Sequence, residues 1–332
     1  MNTKKGIKKK SRIAGLLVLS VLLLTVLSAI SCSQNDKGDD KSTISFAYQD
    51  RVADAASIIA VKKGFFNAEG LQVKPMIFSS GPACTEALTY GNADLGTMGD
   101  TTAIITTSRG NSFTIIASHG GGEQRHRLMV HKKSRIKTIH DLEGKRIGLK
   151  KGTSTHGGLE LLARKEGLDL HSEIIDLAPR DQLLALATGE LDAIVASEPT
   201  PSKAEADGFG VELTTLAGLG NTYPIFVLVN NKFASNHPDL VGKMIKALSK
   251  ATTFIAEHPE EAVSIQAAQS GLAPAVIRKA MTYHHYEISL GESVQDSLTV
   301  TANFLQGIGK IDHIPIWNEV IDPSYIHELK GQ

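Results

Sequence analysis

The stretch Ala87–Thr101, ALTYGNADLGTMGDT, is repeated in form by Ala185–Pro199, ALATGELDAIVASEP. Both segments read Ala-Leu-x-x-Gly-x-x-Asp, then a short apolar run, then an acidic residue. The offset between the copies is constant, and it equals the 98 residues from Asp94 to Asp192. Each copy reads as the end of a helix, a turn at Gly, and a strand. The repeat therefore predicts two similar structural units in one chain.

Segments typical of strands and helices alternate around each copy. The first half gives TISFAYQ, QVKPMIF, ADLGTMG and FTIIASHG as strands with helical segments between them, and the series restarts at KRIGLK. Such alternation predicts parallel-rich sheets with helices on both faces. The expected fold class is α/β with two lobes, each a parallel-rich sheet flanked by helices.

Two segments, 118–132 and 218–231, cross between the predicted sheets, and we interpret them as a two-segment hinge. The first contains three consecutive glycines at positions 120–122, the most permissive backbone in the chain. After the return, apolar residues at helical spacing predict a helix that packs on the first lobe. The expected division is 43–125 and 222–332 for lobe 1 and 126–221 for lobe 2.

The N-terminus predicts export from the cytoplasm. Six basic residues in MNTKKGIKKKSR precede an apolar run of 18 residues, the pattern of a secretion signal over residues 1–31. LSAISC resembles a bacterial lipoprotein box, which implies lipidation at Cys32 and a polar tether over 32–42. The expected location is the extracytoplasmic face of a bacterial membrane. An uncut membrane-spanning helix is the alternative, because 18 apolar residues can also cross a bilayer.

Charge and cysteine content narrow the functional classes. Removal of the leader leaves 29 Lys and Arg against 35 Asp and Glu, a net charge of −6, which argues against a nucleic-acid partner. Lipidation of Cys32 would leave Cys84 without a partner for a disulfide, and we expect Cys84 to be a small buried residue. The sequence contains no His-Glu-x-x-His, Cys-x-x-Cys, Gly-x-Ser-x-Gly or P-loop pattern. We therefore expect a protein that is not an enzyme and needs no metal or cofactor.

Two carboxylates follow the repeated strands, and both are expected to face a cleft between the lobes. Asp100 and Glu198 each end a strand and begin a helix, the place where open parallel sheets bind ligands. Asp100 could equally serve as a helix N-cap. Glu198 is a poorer capping residue, which favours a role in binding. The hydroxyls of Thr153, Ser154 and Thr155 open another helix, a suitable place for an anion.

The order of the motifs GFFNAEGLQV, SSGPACTEALTYGNADLG, IHDLEGKRIGLKKGTSTH, LALATGELDAIVASEP and VIDPSYIHEL resembles the substrate-binding proteins of nitrate/sulfonate/taurine importers. The resemblance covers residues 43–329. It implies a monomeric two-lobed binding protein of the type II periplasmic fold, which delivers a small solute to an ABC permease with its ATPase subunit. It also implies a ligand cleft lined by Gln49, Asp50, Ser80, Gly81, Gly99, Asp100, Thr153, Ser154, Thr155 and Glu198. We add His119 as a candidate hydrogen-bonding residue in the cleft, with a structural histidine as the alternative.

The helix-start hydroxyls favour an oxyanion such as a sulfonate as the ligand. Two carboxylates in one cleft disfavour a bare anion such as nitrate, because like charges repel strongly where water is excluded. The combination predicts a small alkanesulfonate or a taurine-like aminosulfonate. A thiamine-precursor aminopyrimidine is the first alternative and predicts aromatic stacking partners, for which Tyr48, Phe78 and Tyr223 are the candidates. Nitrate or bicarbonate is the second alternative.

Overall fold

Two mixed sheets organise the part of the chain that the computed structural model describes, residues 43–110, 112–170 and 174–330. Each sheet has five strands. The strands in chain order are β1 (Ile44–Gln49), β2 (Val73–Phe78), β3 (Leu95–Gly99), β4 (Phe113–Ser118), β5 (His126–His131), β6 (Ile147–Leu149), β7 (Ile174–Asp176), β8 (Ala193–Ser197), β9 (Gly210–Thr215) and β10 (Ile225–Asn230). The signal peptide, the lipidated Cys32 and the tether all fall outside the described residues and stay predictions.

The two sheets share one strand plan. The first has the order β2-β1-β3-β10-β4 and the second has the order β7-β6-β8-β5-β9. In each sheet the first three strands are parallel, and the fourth runs antiparallel to both of its neighbours. The antiparallel strands, β10 and β5, are those through which the chain enters one sheet from the other. The prediction of parallel-rich sheets did not include these reversed strands.

Helices lie between and after the strands, and four of them begin at a proline, whose fixed φ suits the first helical position. Their bounds are Ala55–Lys62, Phe65–Ala68, Gly81–Thr89, Asp100–Ser108, Ser154–Glu166, Pro179–Thr188, Thr200–Ala206, Asn231–Asn236, Pro238–Glu257, Pro259–Ser270, Pro274–Thr282, Glu292–Gly307, Trp317–Val320 and Ser324–Lys330. Short 3-10 turns occupy Val52–Asp54, Glu123–Arg125 and Ile139–Leu142. None of the helices in the described ranges is both long and apolar enough to span a bilayer.

The repeated phrase builds the same helix-turn-strand unit in both sheets. Gly91 and Gly189 take left-handed φ angles of 72° and 81°, which glycine adopts without steric cost. The aspartate three residues later fastens the new strand to its neighbour. Asp94 accepts the Ser45 N–H at 2.8 Å, and the equivalent Asp192 accepts the Arg146 N–H at 2.9 Å. The repeat is therefore a structural unit as well as a sequence pattern.

The helices after β10 pack on the first sheet. Val241, Met244 and Leu248 of the Pro238–Glu257 helix share one core with Phe46 of β1 and Leu95 of β3. The second sheet has a core on each face, and β5 and β8 supply alternate residues to each, as expected for strands. We use first lobe and second lobe for the two sheets with their packed helices. The chain positions at which the predicted lobes divide stay a prediction.

Candidate functional site

Three glycines bring separate parts of the chain together where the lobes join. The backbone of residues 283–286 crosses Gly120–Gly122 so closely that an added Cβ at Gly122 would lie 2.2 Å from the Tyr283 carbonyl oxygen. Gly121 and His285 exchange both backbone hydrogen bonds at 3.0 Å. Gly120 and Gly122 also have φ angles of 148° and 155°, which side chains rarely allow. The crossing therefore requires glycine, and it places the 283–286 segment beside both lobes.

A set of buried nitrogen atoms lies around this crossing without a hydrogen-bond partner among the described residues. Buried polar groups are nearly always paired, so such a concentration calls for an explanation. We name the set the junction cluster and its partnerless atoms the open nitrogens. They are Nε2 of Gln49, Nη2 of Arg51, Nδ1 of His119, Nε2 of His126 and Nε2 of His284.

Arg51 acts electrostatically on the three histidines of the junction cluster, and Gln49 is linked to Arg51 by a backbone hydrogen bond. Burial is the largest cause of the lowered pKa of His126, and Arg125, Arg51 and His284 add to it; burial also lowers the pKa of His119, and Arg51 acts in the same direction. Gln49 ends β1, His119 follows β4, and His126 begins β5. The cluster thus draws on the carboxyl ends of first-lobe strands and on the first strand of the second lobe, the edge where such folds bind ligands.

Arg51 is held in position by a buried carboxylate. Its Nε donates to Asp54 at 2.7 Å, and Asp54 in turn accepts the Thr97 hydroxyl at 2.5 Å. This arrangement fixes the plane of the guanidinium and leaves Nη2 as an available N–H donor. The open nitrogens of Arg51 and Gln49 are both N–H donors, the type of group that an oxyanion accepts from.

The three histidines of the cluster are neutral rings. Burial lowers the pKa of His119, lowers that of His126 well below its usual range, and lowers that of His284 to about 3. Nδ1 of His284 lies 2.9 Å from the Ala280 carbonyl oxygen and must therefore carry the hydrogen. Nε2 of the same ring is then an acceptor. The cluster consequently offers at least one acceptor beside its donors.

A second guanidinium adds positive charge without an ion-pair partner in the described residues. Arg125 is 1% exposed, and its N–H groups donate to the Tyr223 carbonyl oxygen and the Ser197 hydroxyl. Burial lowers its pKa to about 10, and the nearby Arg51 acts in the same direction. The hydrogen-bond partners of Arg125 are neutral groups, and the Asp100 and Asp54 carboxylates act on it only at longer range, so an anionic ligand would be its direct charged partner.

Asp100 joins the lobes in this structure. Its carboxylate accepts hydrogen bonds from the Ser154 hydroxyl of the second lobe, from Asn221 at 3.0 Å and from Thr301 at 2.9 Å. The helix that starts at Asp100 has Gly99 as its N-cap and receives no side-chain cap there. Asp100 is therefore not the N-cap that one interpretation predicted. Its carboxylate instead lies against the start of the Ser154–Glu166 helix, where the sequence predicted an anion.

Glu198 has a different set of partners from Asp100. Its carboxylate lies 2.7 Å from Arg127 and is 2% exposed. Arg127 also contacts Glu205 at 2.6 Å and Glu212 at 2.5 Å. Burial raises the pKa of Glu198, while Arg127 opposes that shift. The structure thus gives the two predicted carboxylates separate protein partners, and their contact with a ligand stays a prediction.

The other predicted site residues differ in their burial and in the contacts that they make. Thr155 is buried, and its hydroxyl lies 3.0 Å from Nδ1 of His126 in the junction cluster. Ser80 caps the Gly81–Thr89 helix, and the Thr153 hydroxyl donates to the Lys150 carbonyl oxygen at 2.7 Å. Asp50 is exposed.

The glycines at two predicted positions differ in how much space surrounds them. A Cβ at Gly81 would lie 2.9 Å from the Thr102 hydroxyl. A Cβ at Gly99 would lie 3.7 Å from the Ser154 hydroxyl of the other lobe, an ordinary contact. Gly81 therefore has a spatial reason to be glycine, whereas Gly99 contributes through its position beside the interlobe contact.

The family model described as NMT1/THI5 like matches residues 54–262, more than half of the chain. The chain belongs to the NMT1/THI5-like family. The matched range contains Asp54 and four members or neighbours of the site described above, namely Asp100, His119, Arg125 and His126. The expected membership of the nitrate/sulfonate/taurine group of binding proteins is confirmed.

Several proteins similar to this NMT1/THI5-like chain carry names that refer to sulfonates. A Bacillus subtilis (strain 168) protein, named as a candidate aliphatic sulfonates-binding protein, is 27% identical over 93% of this chain and 95% of its own. The taurine-binding periplasmic protein of Escherichia coli (strain K12) is 25% identical over 81% of this chain and 87% of its own. A solved alkanesulfonate-binding protein from Xanthomonas axonopodis pv. citri, bound to MOPS, has a TM-score of 0.76 over 85% of this chain and 98% of its own, at 24% identity. The expected two-lobed periplasmic-binding-protein fold is confirmed.

Two residues of the junction cluster are among the residues predicted from the sequence, and the others are not. Gln49 was predicted from the family resemblance, and His119 as a possible hydrogen-bonding histidine. Arg51, Arg125 and His126 were not, although Arg51 follows the same strand end by two residues. His284 lies far from the repeats in sequence, in YHHYE, and only the crossing at Gly120–Gly122 brings it near. Cys84 is buried, and burial raises the pKa of its thiol to about 12, so it is not activated as a nucleophile.

Proposed function

We propose that the protein is an extracytoplasmic solute-binding protein of an ABC importer and that it binds a small sulfonate between its lobes. The observation that carries the proposal is the junction cluster, whose open nitrogens are buried where the lobes meet. A bound oxyanion would supply the acceptors that Gln49 and Arg51 lack. The names of the similar proteins refer to the same class of solute.

The balance of charge and hydrogen bonding favours a sulfonate that also carries an amino or hydroxyl group. Arg51 is paired with Asp54, whereas Arg125 and Asp100 form no ion pairs in the described part of the chain, so the fixed charges around the site sum to zero. A zwitterion such as taurine leaves that balance unchanged. Its N–H group would also find an acceptor in Nε2 of His284.

An aminopyrimidine is the second candidate, and one feature of the site favours it. The imidazole of His126 lies against Tyr223, with ring centroids 4.3 Å apart, and His284 stacks on Tyr286 at 5.8 Å and 11°. Flat rings of this kind can pack on a heterocycle. An aminopyrimidine lacks the negative charge that would pair with the buried Arg125. We therefore rank it behind a sulfonate as the ligand.

The remaining parts of the proposal concern location, partners and chemistry. We infer that the solute is passed to a permease with its ATPase subunit, that Cys32 carries a lipid anchor, and that the protein acts as a monomer and not as an enzyme. The predicted leader and the names of the similar proteins support this inference.

Calorimetry with a panel of solutes tests the proposed function. Ethanesulfonate, taurine, nitrate, bicarbonate and a thiamine-precursor aminopyrimidine would each be titrated into the protein at pH 7. We expect saturable binding of at least one sulfonate, with taurine tighter than ethanesulfonate. Tight binding of the aminopyrimidine with no heat from either sulfonate would instead establish the second candidate.

A further inference from the structure

A groove of about 460 Å³ lies apart from the junction cluster and is formed by both lobes. Residues of the Gly81–Thr89 and Asp100–Ser108 helices of the first lobe line it, together with residues of the loop after β6. The lining residues are Pro82, Thr85, Glu86, Thr89, Tyr90, Thr102, Ile105, Thr106, Arg109, Lys151, Gly152 and Lys310. We name it the threonine groove, because four of these residues are threonines. None of the junction-cluster residues lines it.

Three cationic side chains line the threonine groove, and the described residues provide none of them with an ion pair. Arg109 ends a first-lobe helix, Lys151 belongs to the second lobe, and Lys310 follows the Glu292–Gly307 helix. Glu86 is the one acidic lining residue, so the groove carries a net charge of +2. The protein without its leader is acidic, so the charge of this groove is opposite in sign to that of the whole protein. Such a concavity attracts anions.

Three of the four threonine hydroxyls of the groove donate within the protein, and one remains to donate to a ligand. Thr106 donates to the Thr102 carbonyl oxygen at 2.7 Å, Thr85 donates to Thr106 at 3.0 Å, and Thr89 donates to the Thr85 carbonyl oxygen at 2.8 Å. The Thr102 hydroxyl faces the start of the neighbouring helix, where only glycine fits at position 81 without displacing it. Three cations and the Thr102 hydroxyl, which has no hydrogen-bond partner among the described residues, are suited to a compact oxyanion with several acceptor oxygens.

We propose that the threonine groove is a second ligand site, which binds a free tetrahedral oxyanion of the sulfate or phosphate class. An anion between Arg109 and Lys151 would connect the first lobe to the second. It would thereby favour the arrangement in which the lobes touch. Linkage then requires that the anion and the solute strengthen each other's binding, typically by 5-fold or more.

Calorimetry with inorganic sulfate and phosphate tests the groove directly. The full chain, saturated with a sulfonate so that the solute site is filled, would be titrated with each anion at constant ionic strength set by chloride. We expect binding with one anion per protein. The double variant Lys151→Gln/Lys310→Gln should weaken it at least tenfold. The matched double variant Lys133→Gln/Lys137→Gln, which removes two exposed lysines elsewhere, should leave it unchanged.

Two results would overturn the groove site. One is the absence of any sulfate or phosphate binding to the protein whose solute site is filled, and the other is an equal loss of binding in both double variants. If no sulfonate binds at all, the same titrations would be made on Arg51→Gln, which lacks the junction guanidinium. Anion binding that survives in Arg51→Gln and is lost in Lys151→Gln/Lys310→Gln supports the groove even though the proposed solute is then wrong.

Discussion

Arg51 shows how a single side chain can be prepared for a ligand before the ligand arrives. Asp54 accepts a hydrogen bond from its Nε, and Thr97 donates to Asp54, so the guanidinium would lose little freedom on binding the proposed oxyanion. Its Nη2 is buried and has no partner in the described ranges. Leaving such a donor unpaired costs free energy that a bound oxyanion would recover.

Arg51→Gln should weaken sulfonate binding by roughly 10-fold to 100-fold, since hydrogen bonds to charged groups contribute about 1.5–3 kcal/mol. Titration calorimetry with the sulfonate that binds the wild-type protein measures the change. Arg146→Gln is the matched control, because Arg146 is an exposed second-lobe arginine that is also paired with an aspartate. Equal affinities for wild type and Arg51→Gln would remove Arg51 from the site.

For single residues, the sequence could locate the ends of strands but could not identify the hydrogen-bond and ion-pair partners of the residues there. Asp100 and Glu198 were identified as strand-end carboxylates, and both are. The sequence could not reveal that Arg127 neutralises Glu198, because Arg127 lies 71 positions away along the chain and meets it only through the pairing of β5 with β8. The positions were accessible to sequence reasoning, whereas the contacts between distant positions were not.

The helix-turn-strand unit is the element that the chain uses twice, and its aspartate has the same hydrogen bond in both copies. The two copies differ in burial. Asp94 is 6% exposed, whereas the Asp192 side chain is 32% exposed and also pairs with Arg146. Water can replace a lost hydrogen bond at the exposed copy far better than at the buried one.

Asp94→Ala should therefore lower the free energy of unfolding by about 1–3 kcal/mol, because it leaves the partly buried Ser45 N–H without its acceptor. Asp192→Ala should cost less than about 1 kcal/mol. Urea denaturation followed by circular dichroism measures both. The expectation fails if the exposed copy proves the more costly of the two.

The crossing at Gly120–Gly122 is a second element, and its contribution to stability can be measured separately. Gly122→Ala would combine an unfavourable φ with a Cβ placed 2.2 Å from a carbonyl oxygen. Gly218→Ala at φ 71° changes only the backbone preference, because nothing lies within 4 Å of its added Cβ. We expect a loss of about 1–2 kcal/mol for Gly218→Ala and a clearly larger loss for Gly122→Ala. Thermal denaturation of the pair distinguishes a clash from a preference, and equal losses would argue against the close crossing.

On the scale of the whole molecule, the hydrogen bond from Ser154 to Asp100 joins the two lobes. A contact that exists only when the lobes touch stabilises that arrangement, and with it any ligand held between them. Ser154→Ala should reduce solute affinity by roughly 5-fold to 30-fold while leaving each lobe intact. Ser264→Ala, whose hydroxyl bonds within its own helix, is the control. An unchanged affinity for Ser154→Ala would show that this contact does not take part in closure.

The stability of the whole chain should fall as the solution is acidified below about pH 6.5. His119, His126 and His284 have lowered pKa values because they are buried, so the unfolded chain binds protons that the folded chain does not. Each such histidine contributes a slope of up to about 1.4 kcal/mol per pH unit, with stability rising toward higher pH. Urea midpoints measured at pH 7, 6 and 5 test this. A midpoint that stays constant across this range would contradict the buried neutral state.

Much of the architecture was accessible from the sequence because local patterns specify it. Alternating segments predicted the two α/β sheets, and the apolar face of the Pro238–Glu257 helix predicted its place on a hydrophobic core. The reversed strands β5 and β10 were missed, because strand direction is decided by long-range pairing and not by local periodicity. The same long-range crossing placed His284 beside His126, which no local pattern could have indicated.

The tight passage of residues 283–286 over Gly120–Gly122 also limits how the molecule can flex. The backbone of Gly120–Gly122 is hydrogen-bonded on both sides and closely packed, so it would act as the point about which the lobes rotate. Rotation of one half against the other must then be absorbed by the bonds on either side of it, and sliding is disfavoured. Rotation of the lobes about one fixed point would restore the same closed geometry each time. Release of one solute would then leave intact the arrangement that binds the next.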